Sequence, residues 1–282
     1  MCATCGCSDE HGVTITEPGA HAPRHDHPHD HEHPHNTGHP GSHRHDSGAD
    51  HHDGPLQDVP DARLIRLERQ VLAKNDSLAQ HNRGWLEARA TFAINLMSSP
   101  GSGKTTLLER TIRDTADDLA VSVVEGDQAT VLDGDRIKAT GARVVQVNTG
   151  AGCHLDADML RRALRTLDPP HGSIVVIENV GNLVCPALFD LGEGARVVVM
   201  SVTEGDDKPR KYPHMFRIAD LVLLNKTDLL PYVDFDVEKF TAAVQAVKPD
   251  AEIRQVSATK GDGMDTWYAW LRARTVASGV PG

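Results

Sequence analysis

From residue 92 onward the chain repeats one pattern: a short apolar run, then a longer amphipathic stretch. The apolar runs are TFAINLMS (91–98), VSVVEGD (121–127), RVVQV (143–147), SIVVIEN (173–179), RVVVMSV (196–202), DLVLLN (220–225) and EIRQVS (252–257). Helical periodicity falls between them at 104–116, 156–167, 236–247 and 264–276. Strands that are apolar on both faces and alternate with helices predict an α/β domain. Its sheet is mostly parallel and covered on both faces. Such sheets bind ligands at the carboxyl ends of their strands. This chain places its glycine-rich and polar residues at those ends.

The first such end is the most informative. SSPGSGKTT (98–106) follows a strand and opens a helix, the context a phosphate-binding loop requires. Gly101 and Gly103 let the backbone around Ser102 turn its N–H groups inward, and the helix N-terminus adds its positive dipole end. Lys104 is placed to reach the β- and γ-phosphates, the Thr105 hydroxyl suits Mg²⁺, and Thr106 continues the cradle onto the helix. Ser98 stands where the G-x-x-x-x-G-K-[ST] pattern has its first glycine; a small residue meets the same backbone requirement.

Further along, LNKTD (224–228) ends a strand. The Asp228 carboxylate can accept from both N1–H and the exocyclic amine of guanine. Adenine has no donor at N1, so a buried Asp228 would go unpaired, and such losses discriminate strongly. Asn225 and Lys226 buttress that loop, and VSATKG (256–261) brings Ser257 and Ala258 to the guanine carbonyl through backbone N–H groups. Three matches in this order predict a GTP site.

Two acidic positions complete it. Asp127, in EGDQ, can hold Mg²⁺ through water or orient the attacking water; otherwise it is a cap or a solvated loop residue. Glu178 opens ENVG, where most GTPases carry Asp, and Gly181 lets its N–H approach the γ-phosphate. Lys104, Asp127 and Glu178 are the candidate catalytic residues. No glutamine stands out to position water, so slow intrinsic hydrolysis is expected.

A second set of residues suits a softer metal. Cys153 and His154 adjoin in TGAGCHLDADM (149–159), and Cys185 lies seven residues after Glu178. Both segments follow strands, hence share the nucleotide's rim. Two thiolates and an imidazole form a partial donor set for Ni²⁺ or Zn²⁺. A loop that senses γ-phosphate and carries Cys185 would couple nucleotide state to metal affinity.

The N-terminal stretch is different in kind. CATCGC puts Cys2, Cys5 and Cys7 within six residues, and residues 1–60 hold 13 of the 17 histidines with a net charge of −8. No aromatic residue precedes Trp85. Such a stretch cannot bury enough apolar surface to offset its ordering entropy, so residues 1–60 are expected to be a disordered Cys/His-rich metal-binding tail. Residues 61–91 are expected to form a helical segment, with Asp61 as N-cap and Leu64, Leu67, Val71 and Leu72 on the packing face; 92–282 form the nucleotide-binding domain. Beyond the tail 27 basic residues meet 30 acidic ones, which gives no basic patch for nucleic acid. The absence of a secretory leader or a membrane-length apolar run points to the cytosol, where thiols stay reduced.

The motifs CATCGC, NLMSSPGSGKTTLLER, EGDQ, NTGAGCHLDADM, ENVGNLVCPALFDLGE, SVTEGDDKPRKYP and LNKTDLLPYVDFD together resemble the HypB family, SIMIBI-class GTPases that help insert nickel into [NiFe]-hydrogenase. The resemblance is dense over 95–236. It implies a GTP-dependent homodimer with Cys153, His154 and Cys185 at the interface. It implies tight nickel binding by Cys2, Cys5 and Cys7, nickel storage by the histidine tract, and a base contact across the dimer from Lys208 or Lys211. The implied partners are a HypA-type nickel chaperone and the hydrogenase large-subunit precursor. Two alternatives stand beside this reading: a nickel store whose nucleotide only sets dimerisation, and a urease-maturation GTPase.

Overall fold

The computed structural model describes residues 13–17, 62–127, 132–150 and 152–277. Cys2, Cys5, Cys7, Asp61 and the histidine tract lie outside the described residues. Strand β1 is Thr14–Thr16 and helix α1 is Ala62–Glu87. There follow β2 (Phe92–Ser98), α2 (Lys104–Asp114), β3 (Val121–Asp127), α3 (Leu132–Lys138), β4 (Arg143–Asn148), α4 (Ala157–Leu167), β5 (Ile174–Glu178) and β6 (Ala195–Ser201). The remainder is α5 (Lys208–Lys211), α6 (Pro213–Ile218), β7 (Leu221–Asn225), α7 (Val237–Val247), β8 (Ile253–Gln255) and α8 (Met264–Ala277). Short 3₁₀ turns occupy Cys185–Leu188 and Thr227–Tyr232.

The strands form one sheet in the order β1-β4-β3-β5-β2-β6-β7-β8. All neighbouring pairs are parallel except β1–β4. Every predicted apolar run is a strand and every predicted helix is present. The central strands are buried along their whole length, β2, β5 and β7 without a break, which is why they read as continuous apolar runs rather than alternating ones. One face packs Ile94, Leu96, Val176 and Val197 under Leu107, Leu108, Trp267 and Leu271 of α2 and α8. The other carries two clusters: Val145, Val147, Val175 and Ile177 with Leu155, Leu160 and Leu164, and Met200 and Val222 with Phe216, Phe240 and Val244. Among the described residues no helix is long and apolar enough to cross a membrane.

Two expectations are corrected. Thr14–Thr16, inside the stretch expected to be disordered, is an edge strand paired with β4; a three-residue run is too short to show periodicity, and its partner supplies the stabilisation. On α1, among the residues whose side chains are described, Asn75, Ala79, Asn82 and Leu86, at helical spacing, are buried, while Val71, expected on the packing face, is about half exposed. Two of the four are polar because they saturate backbone groups elsewhere. Asn82 Nδ2 donates to Ala157 O at 2.8 Å and Leu191 O at 2.9 Å, while Asn75 Nδ2 donates to Asp190 O at 2.8 Å and its Oδ1 accepts from Ala157 N at 2.9 Å. Gly192, at φ 88°, meets the helix so closely that a Cβ would lie 2.4 Å from Ala79 O.

Asn82→Ala is therefore expected to lower stability by about 2–4 kcal/mol, because two buried carbonyls lose their donor. A urea titration of the two chains checks it: the midpoint falls, with m unchanged if α1 stays docked.

Candidate functional site

Four strand ends converge on the loop between β2 and α2. Gly101 (φ 75°) and Gly103 (φ 94°) take the left-handed conformation that a side chain resists, so the sequence curls before α2 begins at Lys104. A Cβ on Gly103 would stand 2.7 Å from Asn225 Nδ2, so the loop and the end of β7 also need its bareness. Ser102 Oγ is buried with no partner of its own, a hydroxyl available to a ligand oxygen. Thr106 lies one residue further along α2 and accepts from Arg136 at 3.2 Å.

Lys104 is buried, and its ammonium donates to Ser98 Oγ at 2.6 Å; Ser98 in turn donates to Ser99 O at 2.6 Å. Ser98 is thus more than a small stand-in for glycine, because its hydroxyl holds the lysine in line. Burial lowers the Lys104 pKa, opposed by the attraction of Glu178 and of the acidic residues around it. Thr105 Oγ1 donates to Glu178 Oε1 at 2.7 Å. Glu178 is fully enclosed, and burial raises its pKa against the pull of Lys104 and the Thr105 hydrogen bond. Its second oxygen, Oε2, is buried without a hydrogen-bond partner. A hydroxyl and a carboxylate with a spare buried oxygen are hard donors that fit Mg²⁺. Asp127 ends β3, level with Asn148 of β4.

The base-side residues lock onto this loop. Asn225 Nδ2 donates to Ser102 O at 3.0 Å, and its Oδ1 accepts from Ala258 N at 3.1 Å. Lys226, at φ 62°, donates to Gly101 O at 2.6 Å. Ser257 Oγ donates to Asp228 Oδ1 at 2.6 Å. The structure therefore brings Gly101, Ser102, Gly103, Lys104, Thr105, Asn225, Lys226, Asp228, Ser257 and Ala258 into one connected site. Gly181 also abuts it: a Cβ there would lie 2.9 Å from Pro100 Cα.

The metal candidates meet beside it. The ligand atoms of Cys153, His154 and Cys185 all lie within 4.8 Å of one another. The sulfurs are 2.8 Å apart, too long for a disulfide. Cys153 Sγ is 3.6 Å from His154 Nδ1, and the imidazole stacks on Phe189 with centroids 3.9 Å apart. Burial lowers the His154 pKa, opposed by Asp156, and so favours the neutral, metal-binding ring.

Three residues that the sequence reading left without a role connect these parts. Asn179, next to Glu178, accepts from Leu155 N at 3.2 Å and donates to Asn95 Oδ1 at 3.2 Å. Asn182 donates to Cys153 O at 3.3 Å and accepts from Val184 N at 2.8 Å and Cys185 N at 3.4 Å. Glu204 accepts from the Ser99 hydroxyl and from Ser201 N, and burial raises its pKa. Its neighbour Lys208 is 3.8 Å from it, while Lys211 pairs with Asp207 at 2.7 Å. Nothing in spacing marks these contacts; ENVGN signals only that two amides flank the glycine.

A family model described as CobW/HypB/UreG, nucleotide-binding domain, matches residues 92–255. The hydrogenase maturation factor HypB of Azotobacter vinelandii is 56% identical over 210 residues, covering 74% of this chain and 69% of its own. HypB of Cupriavidus necator is 41% identical, with 99% of this chain and 90% of its own covered. Among solved structures, HypB from Helicobacter pylori in complex with nickel superposes with a TM-score of 0.68 at 37% identity, covering 74% of this chain and 98% of that one. The loop geometry, the base-side lock and these likenesses lead to one conclusion: the chain belongs to the CobW/HypB/UreG family of P-loop GTPases, alongside its HypB members.

Proposed function

We propose that the protein hydrolyses GTP slowly and uses the nucleotide state to bind and release nickel destined for a [NiFe]-hydrogenase large-subunit precursor. One observation carries this reading. The segment 178–185 runs from the carboxylate bonded to Thr105 to a thiol of the Cys153–His154–Cys185 cluster, with Asn179 and Asn182 bonding to both sides on the way. In this reading a shift at Glu178 is transmitted to Cys185 through a short segment that Asn179 and Asn182 tie to Leu155, Asn95 and Cys153.

In this reading Lys104 brings its charge to the transferred phosphoryl group, displaced from Ser98. Ser102 and the backbone of the loop bind phosphate oxygens. Thr105 and Glu178 would hold Mg²⁺, which neutralises charge on the β- and γ-phosphates when bound. Asp127 orients the attacking water, and Gly181 admits the γ-phosphate. Asp228, held by Ser257, selects guanine.

Nickel is the cargo, bound by Cys153, His154 and Cys185, where zinc also fits the donor set. Val184 is 50% and Leu188 47% exposed beside Cys185, which supports a GTP-dependent homodimer closing over the metal. Lys208 or Lys211 then reaches the base across that dimer. A HypA-type chaperone is the proposed recipient of nickel. Cys2, Cys5 and Cys7 hold a further nickel ion tightly, the histidine tract stores more, and the work is cytoplasmic. The naming of relatives as hydrogenase maturation factors supports the hydrogenase reading over storage alone, and urease maturation stands as the alternative.

The decisive measurement is nickel affinity by chelator competition, with Cys2, Cys5 and Cys7 changed to Ser and the histidine tract removed. Between GDP and a non-hydrolysable GTP analogue a difference of about tenfold is expected, ~1.4 kcal/mol of coupling. Equal affinities would overturn the switch. Asn182→Ala is expected to weaken nickel binding about tenfold by freeing the Cys185 loop, with GTP affinity unchanged within twofold. Asp228→Ala should lower GTP affinity about 100-fold and leave nickel binding intact, measured by nucleotide titration.

A further inference from the structure

One polar residue interrupts the apolar interior of the sheet. Strand β2 reads FAINLMS, and Asn95 lies at its middle with 0% of its surface exposed. Alternation along the strand puts Asn95 on the face of Ala93 and Met97, between the two apolar clusters that cover that face. An amide buried there is costly unless both of its ends are bonded. Asn95 Oδ1 accepts from Asn179 Nδ2 at 3.2 Å, and Asn95 Nδ2 donates to Glu193 Oε1 at 3.4 Å. Asn179 and Glu193 stand near the two ends of one connection, from the end of β5 to the start of β6. The backbone repeats the arrangement: Asn179 N donates to Leu96 O at 3.0 Å and Gly194 N to Ala93 O at 2.9 Å. A single side chain thus clasps both ends of the stretch 179–194, three residues before Ser98 opens the phosphate-binding loop.

Glu193 is itself fixed. Its side chain is 1% exposed; Oε2 accepts from Leu191 N at 2.7 Å and Oε1 from Arg196 Nε at 2.6 Å. The Arg196 guanidinium also lies 3.6 Å from Asp190, which pairs with Arg83 of α1 at 3.0 Å. At the other end of the stretch, Asn179 adjoins Glu178, whose Oε1 accepts from Thr105, and Gly181 packs on Pro100. We propose that Asn95 is a positioning residue for GTP hydrolysis: by holding both ends of 179–194 to the strand that feeds the phosphate-binding loop, it sets Glu178 and Gly181 at the γ-phosphate. The inference rests on reading the site as a GTPase. Asn95 is enclosed within the sheet, beneath the site, and acts through Asn179. The loop that receives the other phosphates is braced separately, by Asn225 on Ser102 O and Lys226 on Gly101 O. Loosening the clasp therefore affects the steps that need the γ-phosphate and spares the binding of GDP.

The test compares single-turnover hydrolysis at saturating Mg²⁺–GTP with GDP affinity by titration, in full chains that urea titration shows to be folded. Asn95→Leu keeps the volume and removes both side-chain bonds. It is expected to slow hydrolysis about tenfold and to leave GDP affinity unchanged within about twofold. A residue that served only the packing of the sheet would move both together or neither. Asn95→Asp keeps the acceptor for Asn179 and turns a carboxylate oxygen toward Glu193, so it is expected to slow hydrolysis to a similar extent. Adding Glu193→Gln to Asn95→Asp restores a donor and an acceptor in the reverse direction at unchanged total charge. The rate of that double variant is expected to return to within about threefold of the unaltered chain. These two variants decide the matter if Asn95→Leu does not fold. An unchanged rate in either single variant, a loss of GDP affinity equal to the loss of rate, or no recovery in the double variant overturns the proposal. If the unaltered chain hydrolyses no GTP, the GTPase reading itself falls and takes the role of Asn95 with it.

Discussion

The hydrogen bond from Thr105 to Glu178 joins the two halves of the site. One partner opens α2 behind the phosphate-binding loop; the other ends β5, the strand directly beside β2. Because β5 continues into the loop that carries Asn179, Asn182 and Cys185, this one contact ties the phosphate side to the sulfur side. The separation is short in sequence, seven residues from Glu178 to Cys185, and between them Asn179 bonds to Leu155 N and Asn95 Oδ1, and Asn182 to Cys153 O and to the N–H groups of Val184 and Cys185.

The charges around this contact explain why the site is poised rather than neutral. Lys104, Glu178 and Glu204 are all at least mostly buried, and burial acts on each against its charged form. The attraction between Lys104 and each carboxylate opposes that effect. Ser98, Thr105 and Ser99 each contribute one hydrogen bond to a member of the group. Ser102 Oγ and Glu178 Oε2 are buried without a hydrogen-bond partner, polar atoms that a ligand bringing anionic phosphates and a divalent cation would satisfy.

The sheet edge and the first helix serve the same end from outside the core. α1 is docked through Asn75 and Asn82 onto the start of α4 and the 190–192 loop, so the segment after the metal ligands is braced on a third side. β1 pairs with β4, whose ladder would otherwise lie open to another chain.

The sequence by itself determined the parallel α/β fold, the positions of the strands and long helices, the phosphate loop and the base-side motif. Each of these depends on local periodicity or on a fixed spacing within a few residues, so the signal is contained in the segment itself. It also named Cys153, His154 and Cys185 as a group, since adjacency and shared strand ends suffice for that. Only the tertiary structure decided that Ser98 holds Lys104, that Glu204 accepts from Ser99, that α1 packs through Asn75, Ala79, Asn82 and Leu86, and that Thr14–Thr16 joins the sheet. The Ser98–Lys104 bond depends on the curl of the loop between them; the others depend on which polar group lies opposite a side chain across 100 residues or more, as with Asn82 and Leu191 or Ser99 and Glu204, or on a partner strand that a three-residue run cannot specify. Polar pairing of this kind leaves no period in the chain; it exists only where two distant segments have already been brought face to face.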